Sequence, residues 1–139
     1  MKFSATIYVD GIEKSYEAVE LYKEAFGLSL GYNLSYEDPD GMRKWGLNIG
    51  DGYIPRRGYF HADLTRGDET VFSVSAESGG GIPKSVQSIE LSMQMGSEEA
   101  VKKAVSILSE GTTTPCDVGF NPCAAGVTDS FNVNWFICV

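Results

Sequence analysis

A single histidine, His61, occurs in 139 residues, so any imidazole chemistry must pass through it. Basic residues are also scarce: eleven Lys and Arg face nineteen Asp and Glu, leaving a formal charge of −8. That balance repels nucleic-acid phosphates and anionic lipid surfaces, so neither is an expected partner. No apolar run approaches the roughly eighteen residues that cross a bilayer. No leader with a basic start and an apolar middle opens the chain, and Cys116, Cys123 and Cys138 are odd in number. Reduced thiols and a cytoplasmic location are therefore expected. The spacing of Cys116 and Cys123 fits neither a zinc pattern nor a Cys-x-x-Cys pair. Walker loops, Gly-x-Gly-x-x-Gly turns, serine elbows and His-Glu-x-x-His helices are all missing.

What is present is enough for one ordinary domain, since 42% hydrophobic residues can build a core without disulfide or metal staples. Residues 4–9 alternate like a half-buried strand, and Asp10-Gly11 closes the run as a turn. In residues 13–26, Ala18, Val19, Tyr22, Ala25 and Phe26 recur at helical spacing, and Gly27 stands where a helix-ending glycine belongs. Residues 27–36 read as a second strand. Glu37-Asp38-Pro39-Asp40-Gly41 follows as a turn, then a long loop over 42–57 with a short strand around 45–49. Residues 59–65 and 69–76 form a hairpin through Arg66-Gly67-Asp68.

The glycine-rich stretch 78–83 breaks the chain, after which the pattern restarts. Residues 86–95 alternate as a strand, with Ser88, Glu90, Ser92 and Gln94 on its polar face. Ser97 caps a helix whose stripe is Ala100, Val101, Ala104, Val105 and Leu108, and Gly111 ends it. Residues 112–139 supply three short strands, the last two separated by a turn at 129–132. Each half is thus strand, helix and up to three strands, an internal repeat whose only literal echo is Glu-Ala-Val at 17–19 and 99–101.

Four features in order carry a resemblance. They are a first strand ending in Asp-Gly, Glu-Leu-Tyr-Lys-Glu-Ala-Phe-Gly at 20–27, His61-Ala62 on a strand, and Val-Thr-Asp-x-Phe-x-Val-x-Trp at 127–135. Together they resemble the PhnB-like branch of the glyoxalase, bleomycin-resistance and dioxygenase superfamily, the vicinal oxygen chelate fold. The resemblance implies an α+β fold of duplicated βαβββ modules forming a cupped mixed sheet with helices on its outer face, commonly as a homodimer. It implies a single domain over 1–139, with module 1 at about 1–77, a linker at 78–85 and module 2 at about 86–139. Metal-using relatives take His, Glu or Gln ligands from the first and fourth strand of each module. Here those positions fall on Ser4 or Ala5, Ser73, Ser88 and Phe136. Hydroxyls and a phenyl ring are poor ligands for Zn²⁺, Fe²⁺ or Ni²⁺, so no metal and no other cofactor is expected. The loop 119–126 departs from the relatives, and Asn132 replaces a usual glycine at the last turn, a place asparagine tolerates.

Strand parity puts Tyr59, His61 and Asp63 on one face and Phe60, Ala62 and Leu64 on the other, the helix-packed side. Asp63 can then orient and charge the His61 ring, either for general-base work or to shape a pocket. Glu90 offers a carboxylate, while Tyr8, Trp45, Tyr53 and Phe136 offer aromatic walls for planar or cationic ligands. Arg56-Arg57 could hold an anion, though such pairs are ordinarily wet surface. The expectation is a small-molecule-binding protein with a metal-free cup lined by Tyr8, His61, Ser73, Glu90 and Phe136, taking a cationic or aromatic ligand. One rival is a metal-dependent lyase, isomerase or dioxygenase of the same superfamily, with His61 and Glu90 among its ligands. The other is a scaffold whose dimer surface matters. No residue declares itself catalytic, and the sequence leaves open whether any reaction occurs.

Overall fold

The computed structural model describes residues 4–77, 90–110 and 123–139. These residues form two compact units. The expected linker at 78–85, the start of the fifth strand, Ser88, the stop at Gly111, Cys116 and the first half of the 119–126 loop lie outside them.

Unit 1 begins with β1 (Thr6–Asp10), in which Ile7 and Val9 are buried and Thr6, Tyr8 and Asp10 are exposed. It is followed by α1 (Ile12–Phe26), whose apolar stripe at Ala18, Val19, Tyr22, Ala25 and Phe26 is buried as its periodicity requires. Gly27 adopts φ 64°, and the Leu28 N–H donates to the Lys23 carbonyl at 3.1 Å, the glycine-dependent closure of a helix end. β2 spans Ser29–Ser35. The expected turn at 37–41 instead opens a short helix, α2 (Pro39–Lys44). Asp38 accepts the Gly41 N–H at 3.0 Å, and Pro39 sits in the first turn, where a missing N–H costs nothing.

No strand forms at 45–49. Trp45, Gly46 and Leu47 donate their N–H groups back to Gly41, Arg43 and Met42 carbonyls, and Ile49 donates to Leu47, which takes four of the five N–H groups of 45–49 away from strand pairing. Leu47, Ile49 and Tyr53 pack against buried Leu34, Tyr36, Met42 and Ala76, and the Tyr53 hydroxyl donates to the Tyr36 carbonyl at 2.8 Å. Tyr53 is therefore half-buried against this cluster.

The hairpin is β3 (Tyr59–Arg66) and β4 (Glu69–Glu77), turned by Gly67-Asp68 with Gly67 at φ 60°. The sheet order is β1-β4-β3-β2, with β1 parallel to β4 and the other pairs antiparallel. Phe72 of β4 meets Tyr22 of α1 edge-on at 5.5 Å, which seats the helix on the face carrying Ala62, Leu64, Phe72 and Val74. Buried Ser15 ties the same helix to β3: its hydroxyl donates to the Ile12 carbonyl and accepts the Tyr59 N–H at 2.7 Å.

Strict alternation fails at the start of β3. Leu34 pairs with His61 but Ser35 pairs with Tyr59, so Phe60 is an extra, bulged residue. Tyr59 consequently stacks on Tyr16 of α1 at 6.4 Å, while Phe60 lies against Tyr36 at 6.1 Å and stays 38% exposed. Tyr59 thus turns to the helix side, away from its expected face, whereas the faces of His61 to Leu64 stand.

Unit 2 contains the last turn of α1 (Glu24–Gly27) with β5 (Leu91–Gln94), α3 (Glu98–Ser109), β6 (Ala124–Thr128) and β7 (Asn134–Cys138). Ser97 caps α3 by accepting the Ala100 N–H at 3.2 Å, and Val101, Ala104, Val105 and Leu108 are buried. The order β5-β7-β6, with β5 parallel to β7, repeats the β1-β4-β3 arrangement of unit 1. Asp129 explains the 127–135 signature. Buried, it accepts the Phe131 and Val133 N–H groups on Oδ1 and the Trp135 Nε1–H on Oδ2 at 2.8 Å. Asn132 supplies the left-handed turn residue at φ 64°. The fold is α+β, with two mixed sheets of βαβββ-like modules.

Candidate functional site

The face of the unit 1 sheet opposite α1 collects polar side chains that the register places side by side. Asp63 pairs with Ser73 across β3 and β4, Thr6 pairs with Ser73 and Tyr8 with Ser75 across β1 and β4. His61 Nε2 lies 2.7 Å from Asp63 Oδ1, and the Ser73 hydroxyl donates to the same oxygen at 2.6 Å. His61 Nδ1 lies 3.5 Å from the Ser75 hydroxyl. A neutral ring that donates Nε2–H to the Asp63 carboxylate would turn its Nδ1 lone pair towards Ser75.

Aromatic rings border this group. The Tyr32 ring is 6.3 Å from His61 and 6.0 Å from Trp45, tilted by 44° and 46° respectively. Tyr8, Tyr32 and Trp45 are 55%, 51% and 63% exposed, a wet aromatic surface beside a carboxylate that is itself only 21% exposed. Two hydrogen bonds fall on Asp63 Oδ1, so Oδ2 is left as an open acceptor among the described residues.

The two arginines of the 45–58 segment do not form an anion site. Arg56 forks onto the Glu13 carboxylate at 2.7–3.0 Å, and Arg57 lies over the Tyr16 ring at 4.9 Å. The Arg56 hydrogen bond holds the Glu13 carboxyl below its usual range. Burial raises the Tyr36 and Tyr59 hydroxyls above theirs, marking both as structural groups kept neutral.

Of the residues expected to line a site, Tyr8, His61 and Ser73 share the unit 1 face, with Ser73 buried and acting through Asp63. Glu90 and Phe136 belong to unit 2. Glu90 stands exposed one residue before β5, and Phe136 is 38% exposed, beside Ser92 and Gly126 in register. Sequence reasoning missed Tyr32 and Ser75. The Ser75 signal was its alternation with Ser73; Tyr32 gave none, because β2 slips register between Leu30 and Asn33.

Of the four positions that the resemblance would give a metal, three lie among the described residues, and their side chains are poor ligands. β1 begins after Ser4 and Ala5, the Ser73 hydroxyl is committed to Asp63, and Phe136 has no donor atom. Among the described residues no group of three or more His, Cys, Asp and Glu stands together. Nor is any helix among them long and apolar enough to cross a membrane.

Solved structures match the fold of this chain over nearly its whole length, among them proteins described as PhnB and as glyoxylase/bleomycin resistance protein/dioxygenase. The PhnB protein of Bacillus cereus, described as a putative 3-demethylubiquinone-9 3-methyltransferase, covers 99% of this chain and 98% of its own at 17% identity and TM-score 0.68. Protein PA1353 of Pseudomonas aeruginosa covers 99% and 97% at 18% identity and TM-score 0.67. A glyoxylase/bleomycin resistance protein/dioxygenase domain from Frankia sp. EAN1pec covers 100% and 96% at 13% identity and TM-score 0.59. No family model and no curated protein matches the sequence. At these identities the likeness establishes the fold, and the ligand must be argued from residues.

Proposed function

We propose that this chain is a PhnB- and glyoxalase-like protein that binds a small organic molecule without a resident metal. The observation that carries the reading is the unit 1 face on which His61, Asp63, Ser73 and Ser75 are hydrogen-bonded together beneath the exposed rings of Tyr8, Tyr32 and Trp45. Buried and half-buried polar side chains linked this way hold their geometry before a ligand arrives, and exposed aromatics supply contact area at low entropic cost. For unit 2, taken by itself, Glu90 and Phe136 are the residues proposed to touch a ligand.

The test is elemental analysis of protein purified without chelator, followed by ligand screening after metal addition. Negligible metal, and no gain in ligand binding on adding Zn²⁺, Ni²⁺ or Fe²⁺, is expected. About one transition metal per chain would overturn the reading in favour of a metal-dependent lyase, isomerase or dioxygenase.

A further inference from the structure

We infer that the unit 1 face selects an organic cation, with the Tyr32–Trp45 rings and His61 as its aromatic wall and Asp63 Oδ2 as its counter-charge. This rests on the binding reading above and deepens it by naming the ligand class.

Charge on this face sets the ligand class. Thr6, Tyr8 and Asp10 on β1, His61 and Asp63 on β3, and Ser73 and Ser75 on β4 alternate onto this face, and none is lysine or arginine. An anionic ligand would meet Asp63 and Asp10, and the one Lys or Arg of these strands, Arg66, stands at the turn end of β3 in register with Glu69. The chain as a whole carries −8, so its long-range field draws cations in and turns anions away.

The rings add selectivity. Trp45, Tyr32 and His61 lie in sequence with centroids 6.0 and 6.3 Å apart, each tilted by about 45° to the next rather than stacked flat. Flat stacking would bury ring faces on one another; these tilts leave faces open, and Trp45 and Tyr32 remain more than half exposed. An indole or phenol face attracts a cation through its quadrupole, more strongly as water is removed.

The carboxylate completes the site. His61 and Ser73 both bond Oδ1, which fixes the Asp63 side chain and leaves Oδ2 unspent. A carboxylate held in place and partly shielded from solvent attracts a nearby cation more than an exposed one does. A compact trimethylammonium, guanidinium or amine group on an aliphatic or aromatic body fits this chemistry.

The test compares choline with its uncharged isostere bearing a tert-butyl group in place of trimethylammonium, and with a carboxylate of similar size. Binding is read from the side-chain NMR signals of Trp45, Tyr32 and His61. Choline is expected to shift these signals and to bind at least about tenfold more tightly than the isostere or the carboxylate. Asp63→Asn keeps an oxygen for Ser73 and is expected to cut choline affinity about tenfold while leaving isostere affinity within about twofold. Trp45→Ala, at an exposed position that does not threaten folding, is expected to weaken both. Equal or tighter binding of the isostere or carboxylate, or indifference of choline to Asp63→Asn, overturns the cation inference and leaves the binding face standing. If no probe shifts these signals at millimolar concentration, the inference and the binding reading fall together.

Discussion

Replacing Trp135 by alanine is expected to destabilise the protein by about 3–5 kcal/mol, measured by urea or thermal unfolding. The indole is 1% exposed, lies 4.8 Å from the Phe26 ring within unit 2, and donates Nε1–H to Asp129. Truncation leaves a large void and removes one of the hydrogen bonds that organise the 129–133 turn. Trp135→Phe separates the two contributions. It keeps most of the bulk but leaves Asp129 Oδ2 without the indole N–H, so about 1–3 kcal/mol is expected. A loss below about 1 kcal/mol for Trp135→Ala would mean that the 127–135 signature is not the anchor of its unit.

Gly58→Ala is expected to cost about 2–4 kcal/mol or to abolish folding. A Cβ at this position would run into the carbonyl oxygen, carbonyl carbon and Cγ2 of Ile12. Backbone at a helix start cannot swing aside as a flexible side chain can. The same carbonyl of Ile12 accepts the Ser15 hydroxyl, and the Gly58 carbonyl accepts the Tyr36 N–H at 2.9 Å, so the start of α1, the end of β2 and the start of β3 meet here. Gly126→Ala is the control. Its added methyl would meet nothing within 4 Å, and its backbone is not in the left-handed region. Its stability is expected to change by no more than about 0.5 kcal/mol. Equal effects at the two glycines would contradict the close approach at Gly58.

The pattern of what could be read from sequence follows from whether the cause is local. α1, α3, the Gly27 stop and the Ser97 cap depend on helical periodicity and capping chemistry within a few residues, and each appears where the residues place it. The 37–41 segment was ambiguous in itself. Asp-Pro-x-Gly suits a turn and also suits a helix start, and packing of Met42 against Leu34 and Tyr36 decides for α2. Tyr59 turns to the helix side because of a bulge, which no alternation pattern announces.

The candidate site divides the same way. His61 and Asp63 are two apart on one strand, so their pairing was visible before any fold was known. Ser73 and Ser75 become partners only through the β3–β4 register, and Tyr32 through a β2 edge whose pairing slips. Trp45 was legible as an aromatic, but its place beside Tyr32 depends on α2 and the segment after it.

The most direct test of the account is side-chain NMR of chelator-treated protein during a screen of small organic compounds. The account predicts at least one compound that shifts the Trp45 indole, Tyr32 ring and His61 imidazole signals together, with no dependence on added metal. Binding that appears only after a divalent metal is restored, or that shifts signals elsewhere while these three stay fixed, would contradict it.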